Sequence, residues 1–242
     1  MARSIVLLSG GLDSTVNLAR AVAETEVHTV LYFDFGHKAA QRELRAARNI
    51  VAKFGNVKLR TISLSWLETI TASAMVDSKK RIPQVPGFEA LDVPENGNDV
   101  SEYARMVWVP NRLGLFVNIG ACFAEAEDCD YIVMGLNNTR GVTSPDHTAS
   151  FFQAANEALQ NSTLTAPQVV SYTGAMSKAE IVGHGHEIGA PLESIWDCYG
   201  GDAKMCGRCE SCMRLIQAME QSQQAEWWWN LRTMRPHDTS PA

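Results

Sequence analysis

Positive charge, long apolar runs and repetition are all scarce in this chain, and each scarcity removes a class of protein. Its 242 residues hold 21 Lys and Arg against 27 Asp and Glu, a formal net charge of −6. No global basic field draws in nucleic acid, so a tRNA-modifying role starts at a disadvantage. No segment approaches the roughly 18 apolar residues of a membrane span. The apolar run after Met1-Ala2-Arg3 is too short for a secretory leader and has no small-residue cleavage pattern. A cytoplasmic location is expected, and there the six cysteines read as ligands or buried thiols rather than disulfides. There is no internal repeat, no low-complexity tract and no glutaminase segment. What is present, 45% hydrophobic and 20% charged residues, suits one sizeable α/β core plus an appendage.

The apolar run of residues 4–8 breaks into Ser9-Gly10-Gly11-Leu12-Asp13-Ser14 and then enters a helical pattern. Glycines let the backbone bring bare N–H groups against an anion. The helix that follows turns its unpaired N–H groups and positive dipole end toward the same anion. A kinase-type P-loop would end in Lys and Ser or Thr; here Asp13 stands where that lysine is expected. A carboxylate beside a polyphosphate makes sense when it works through a magnesium ion. The string resembles the pyrophosphate loop of ATP pyrophosphatases. A plain strand-to-helix turn would explain the glycines but not the two serines and the aspartate.

Downstream, residues 27–35 and 57–64 read as strands, and residues 12–25 and 43–54 as helices, the last ended by Gly55. This strand–helix alternation implies right-handed crossovers and a doubly wound, mostly parallel sheet. From residue 66 to 103 the pattern dissolves around Pro83, Pro86, Pro94 and Glu95-Asn96-Gly97-Asn98-Asp99, an irregular insertion of the kind that serves as a lid or binding loop. The core resumes with helices at 113–126 and 151–159, a buried strand at 131–134 and a strand within 166–172. Ser177 and Glu180 then open a helix as a capping box. Cys122 and Cys129 fall in helical sequence.

Several residues face the carboxyl ends of these strands, where such sheets bind ligands. Phe33-Asp34-Phe35-Gly36-His37 ends the second strand and is placed to border adenine and ribose. Strand alternation would make one phenylalanine core and the other pocket. Gly135-Leu136-Asn137-Asn138, with the polar loop Thr139, Arg140, Gly141, Ser144, Pro145, Asp146 and His147, follows the 131–134 strand. Arg112 and Lys178 each sit in a helix's first turn, where a cation is disfavoured unless an anion lies nearby; for Arg112 a solvated surface side chain is the alternative. His184 and His186, two apart on a helix, do not face each other and read as solvated. Trp227-Trp228-Trp229 is an apolar load for packing on the cysteine module or a partner subunit.

The spacing Cys198-x7-Cys206-x2-Cys209-x2-Cys212, with Gly207 easing the tight knuckle, suits a closed, structural four-thiolate zinc site. An iron–sulfur cluster takes the same ligands, and spacing alone does not separate the two.

Taken in order from residue 4 to 214, the phosphate loop, the Phe33–His37 segment, Val109-Pro110-x-Arg112, Ser177-Lys178-Ala179-Glu180-Ile181 and Trp196-Asp197-Cys198-Tyr199 ahead of Cys206-Gly207-Arg208-Cys209-Glu210-Ser211-Cys212 resemble the 7-cyano-7-deazaguanine synthases, ATP pyrophosphatases of queuosine-precursor biosynthesis. The resemblance implies an adenine nucleotide alpha hydrolase-like domain over residues 1–190, with the insertion at 66–108, and a zinc module with C-terminal helix and tail over 191–242. It implies ATP, magnesium and structural zinc as cofactors, a homodimer, and ammonia taken free or from a partner. The chemistry implied is adenylation of 7-carboxy-7-deazaguanine, capture by ammonia, then dehydration of the amide to the nitrile. The candidate catalytic residues are Asp13, Ser14, Arg112 and Lys178. The candidate ATP-binding set is Ser9, Gly10, Gly11, Leu12, Asp13, Ser14, Phe33, Phe35, Gly135 and Asn137, and the metal ligands are Cys198, Cys206, Cys209 and Cys212.

The chain departs from the family pattern on the substrate side. Asn111 and Leu113 replace the Gly and Asn of Val-Pro-Gly-Arg-Asn. Residues 139–147 keep Pro145-Asp146 but not the Tyr, Cys and Arg of Asp-x-Ser-Gly-Tyr-Pro-Asp-Cys-Arg. The alternatives are a divergent paralogue that passes the same or a related carboxylate to another amine, on a protein or small molecule, a tRNA-modifying enzyme, and a nucleotide-sensing binder without turnover.

Overall fold

A computed structural model of the chain describes residues 1–91, 102–138 and 144–224. The Glu95–Asp99 part of the insertion, Thr139, Arg140, Gly141 and the Trp227-Trp228-Trp229 run lie outside the described residues. Five strands form one parallel sheet: β1 (Arg3–Leu7), β2 (Glu26–Asp34), β3 (Lys58–Ser63), β4 (Tyr131–Met134) and β5 (Gln168–Val170). Their order is β3-β2-β1-β4-β5, so the chain winds outward from β1 in one direction, then crosses back to build β4 and β5 on the other side. The reversal opens a crevice at the carboxyl ends of β1 and β4, where doubly wound sheets take their ligands. Leu7 is in register with Met134 there.

Alternation along each strand divides the apolar residues between two cores. Val6, Leu8, Val30, Tyr32 and Val133 face one layer, with α1 (Leu12–Glu24), α2 (Ala40–Val51), α7 (Lys178–Glu187) and α8 (Glu210–Gln221). Ile5, Leu7, Leu31, Phe33, Ile132 and Met134 face the other, with α5 (Arg112–Ala126) and α6 (Ala149–Ser162). Burying ~1.5–3 kcal/mol worth of side chain at each such position holds the layers together. Cys198, Cys209, Cys212 and Trp196 belong to the first core, so the cysteine segment packs directly against the phosphate-loop side of the sheet.

Three expectations need correction. Phe33 and Phe35, two apart, share one side of the chain: both are buried in the same cluster. Cys129 lies past the end of α5, after Asp128 turns the chain at φ +51. The insertion is not structureless: it contains α3 (Leu67–Ile70), a 3-10 turn at Phe88–Ala90 and α4 (Glu102–Met106). It is tied to the body by Lys38 N to Met75 O at 2.9 Å and Val85 N to Arg208 O at 2.8 Å. The Arg214 guanidinium also donates to Leu91 O at 2.9 Å.

Candidate functional site

The turn from β1 into α1 is shaped by its two glycines. Gly10 takes φ +84, and a Cβ there would lie 2.8 Å from the Glu43 carbonyl oxygen in α2. A Cβ at Gly11 would meet Asp197 Oδ1 at 2.5 Å. At Gly10 the positive φ and the backbone oxygen together require glycine, while a side chain at Gly11 would displace the Asp197 carboxylate. Gly11 is the N-cap of α1 and supplies no side-chain cap, which leaves first-turn N–H groups for an anion. Ser9 Oγ and Ser14 Oγ are 3.1 Å apart across the turn. Leu12, by contrast, points its side chain into the core and is fully buried.

Asp13 is the centre of this arrangement. Its Oδ2 accepts from Asn137 Nδ2 at 2.7 Å, while its Oδ1 is buried with no hydrogen-bond partner. A buried carboxylate oxygen left this way is costly unless a cation or donor completes it. Asn17, fully buried in α1, holds the helix in place: it donates to Asp13 O at 2.8 Å and Thr173 Oγ1 at 2.6 Å, and accepts from Tyr172 N at 2.8 Å. Gly135 lies against the backbone of Asp13 and Ser14 with no room for a Cβ, so β4 can approach α1 closely.

A cavity opens in front of this turn. It is bordered by Ser9, Gly11, Asp13, Ser14, Phe33, Phe35, Gly135, Arg112, His147 and Lys178, all placed on the ligand side from the sequence, and also by Glu43, Asp197, Tyr199 and Ser211. Gly10, Leu12 and Asn137, expected in the binding set, do not line it; Leu12 packs in the core and Asn137 reaches it through its bond to Asp13. Phe33 stacks on Phe116 at 4.2 Å between ring centroids and Phe35 on His37 at 4.0 Å. Arg112 lies over the Phe35 ring at 5.2 Å. Asn111, just before it, is left-handed at φ 49, a conformation that Asn tolerates better than other side chains, so the exchange of Gly for Asn keeps this turn.

Lys178 is buried, and its Nζ lies 3.0 Å from Asp197 Oδ2. The anion that its position at a helix start called for is therefore, in part, internal. Ser177 caps the same helix as expected, with Glu180 closing the capping box. Asp197 is not readable as a site residue by itself, because a lone acid beside a cysteine carries no spacing signal. The Trp196-Asp197-Cys198-Tyr199 string is the available signal. His184 is half-buried, with Arg20 Nη1 3.0 Å from its Nε2, rather than solvated; His186 is exposed.

Residues 195–212 close the site from behind. Trp196 N donates to Gly10 O at 2.8 Å. The Sγ atoms of Cys198, Cys206, Cys209 and Cys212 all lie within 4.8 Å of one another, a group that could hold a metal ion. Backbone N–H groups of Gly200 and Cys206 point at Cys198 Sγ, and those of Arg208 and Cys209 at Cys206 Sγ, at 3.2–3.4 Å. Hydrogen bonding with Cys198, then Cys209 and Cys212, holds the Cys206 thiol far below its ordinary pKa. Cys209 and Cys212 are pushed up, first by their bonds to Cys198.

Fold and site together define an α/β protein with a glycine turn and an uncapped helix start at the switch point of a parallel sheet and a four-cysteine knuckle behind them. The family model for the queuosine biosynthesis protein QueC matches residues 3–223, and the chain belongs to that family. It is 47% identical over 216 residues to the 7-cyano-7-deazaguanine synthase of Pelotomaculum thermopropionicum, covering 89% of this chain and 96% of that protein. It is 40% identical over 220 residues to the protein of the same name from Methanosarcina mazei, covering 90% and 94%. The U34-tRNA thiolase NcsA from Methanococcus maripaludis superposes with a TM-score of 0.49 at 10% identity, over 100% of this chain and 76% of that one.

Proposed function

We propose that the protein makes 7-cyano-7-deazaguanine from 7-carboxy-7-deazaguanine, ammonia and ATP, releasing AMP and pyrophosphate. The observation that carries this reading is Asp13: one carboxylate oxygen is fixed by Asn137 and the other is buried and unpartnered beside an uncapped helix start. That donor fits a divalent cation such as magnesium, which would neutralise a polyphosphate that the bare carboxylate would repel. Ser9, Ser14 and the N–H groups following Gly11 would hold the pyrophosphate. Phe33 and Phe35 would border the adenine side.

A carboxylate is a poor electrophile because oxide would have to leave. Transfer of AMP to its oxygen supplies a good leaving group, and Arg112 and Lys178 offer fixed positive charge where negative charge develops. Asp197 positions the Lys178 ammonium. The insertion, bonded to the body at Met75 and Val85, would keep water from the acyl-adenylate.

Zinc is the proposed occupant of the knuckle. Metal–sulfur bonds of about 2.3 Å set tetrahedral sulfurs about 3.8 Å apart, and Cys206 Sγ and Cys212 Sγ are 3.9 Å apart. With four thiolates and no open position, its part would be structural. Mass spectrometry of the products from 7-carboxy-7-deazaguanine, ATP, magnesium and ammonium tests the reading. It requires the nitrile and AMP; an amide that goes no further would leave only the first half standing.

A further inference from the structure

Asp146 and His147 take no part in the reading above, yet His147 borders the same cavity and Asp146 is bonded to it from the buried side. The Pro145–His147 turn leads into α6. His147 Nδ1 lies 2.8 Å from Asp146 Oδ1, and both side chains are 11% exposed. His147 lines the cavity together with Asp13, Arg112 and Lys178. In a neutral ring bonded this way to a carboxylate, Nδ1 is the donor and Nε2 is the basic nitrogen. A buried aspartate that fixes an imidazole in this tautomer equips it as a general base.

Both halves of the proposed reaction leave a proton on nitrogen that has to go. In the first, ammonia attacks the acyl-adenylate carbon. The C–N bond forms, the nitrogen gives up a proton, and the C–O bond to AMP breaks with its electron pair leaving on AMP. In the second, the adenylated amide, R–C(=NH)–O–AMP, loses its N–H proton. The freed electron pair makes the third C–N bond as AMP again departs with the C–O pair. Among the carboxylates bordering the cavity, Glu43 is bonded to His37 Nε2 at 2.8 Å, Asp197 is paired with Lys178 at 3.0 Å, and Asp13 is bonded to Asn137. Imidazole is also the side chain suited to take a proton and return it to water near neutral pH.

We propose that His147, oriented by Asp146, is the general base that removes the nitrogen proton in amide formation and in nitrile formation. This rests on the reaction proposed above. The test uses the metal-loaded, full-length enzyme and separates activation from capture. In His147→Gln, exchange of labelled pyrophosphate into ATP, dependent on 7-carboxy-7-deazaguanine, is expected to persist while nitrile formation falls about 10²–10⁴-fold. In His147→Gly, added imidazole is expected to restore part of the lost rate, which a merely structural role would not allow. Wild-type nitrile formation by His147→Gln overturns the inference. So does parallel loss of exchange and nitrile with no rescue by imidazole. If the unaltered enzyme makes neither amide nor nitrile, the underlying reaction itself is wrong, an outcome readable without either variant.

Discussion

The phosphate loop and the cysteine knuckle touch at residues 196–198, yet they are held in shape by opposite means. The loop is set by backbone geometry. Gly10 at φ +84 and Gly11 pressed on Asp197 leave no latitude, and the fully buried Val6, Leu8 and Leu12 anchor both ends. The knuckle relies on its sulfurs. Four sulfurs converge within 4.8 Å, and as thiolates they would repel one another without a cation among them. On the proposed reading the first region is shaped before any ligand arrives, and the second would be completed by a metal ion. Because Trp196 bonds to Gly10 and Asp197 to Lys178, disorder in the knuckle should reach the active side of the loop.

Asp13→Ala should have the largest effect, cutting AMP formation by about 10³-fold or more while metal content and thermal melting stay as in the parent. Near-normal AMP release would remove Asp13 from its proposed role. Cys209→Ser attacks the other region. We expect loss of bound metal and destabilisation on the order of 4–5 kcal/mol, read by metal analysis and by chemical denaturation. Full metal occupancy in that variant would break the contrast between a preformed and a ligand-completed region.

Gly10→Ala probes the preformed side and should cost about 2–3 kcal/mol through backbone strain and the clash with Glu43 O, visible as a lower denaturation midpoint. An unchanged midpoint would mean the turn is softer than its geometry implies. Ser177→Ala, at the capping box of α7, lies outside both regions and should cost about 1 kcal/mol, with AMP formation little changed. A large activity loss there would show that Lys178 depends on its helix start as well as on Asp197.

Much of this was legible in the sequence because the residues concerned carry local rules. The parallel sheet followed from alternating strand and helix patterns, and β4 fell on residues 131–134 as read. The Ser177 capping box is visible as Ser and Glu three apart, and both of its bonds are formed. The cysteine group was readable from spacing, and its four sulfurs do converge. What resisted reading depends on tertiary neighbours. α3 and α4 are too short, at 4 and 5 residues, for an apolar period to register. Asp197 acquires meaning only when the fold brings it to Lys178 and Gly11. The sequence places Asp146 and His147 on the ligand side, but their pairing shows only once the turn before α6 is formed. The error over Phe33 and Phe35 was one of counting, since alternate residues in an extended chain share a face.

The central claim is that the loop grips the departing pyrophosphate while AMP is transferred to a carboxylate. Positional analysis of ATP cleavage tests it most directly: the enzyme is incubated with 7-carboxy-7-deazaguanine, magnesium and ATP, and the phosphorus products are resolved by NMR. The account predicts AMP and pyrophosphate, formed only when the acid is present. ADP and inorganic phosphate, or intact ATP, would contradict it.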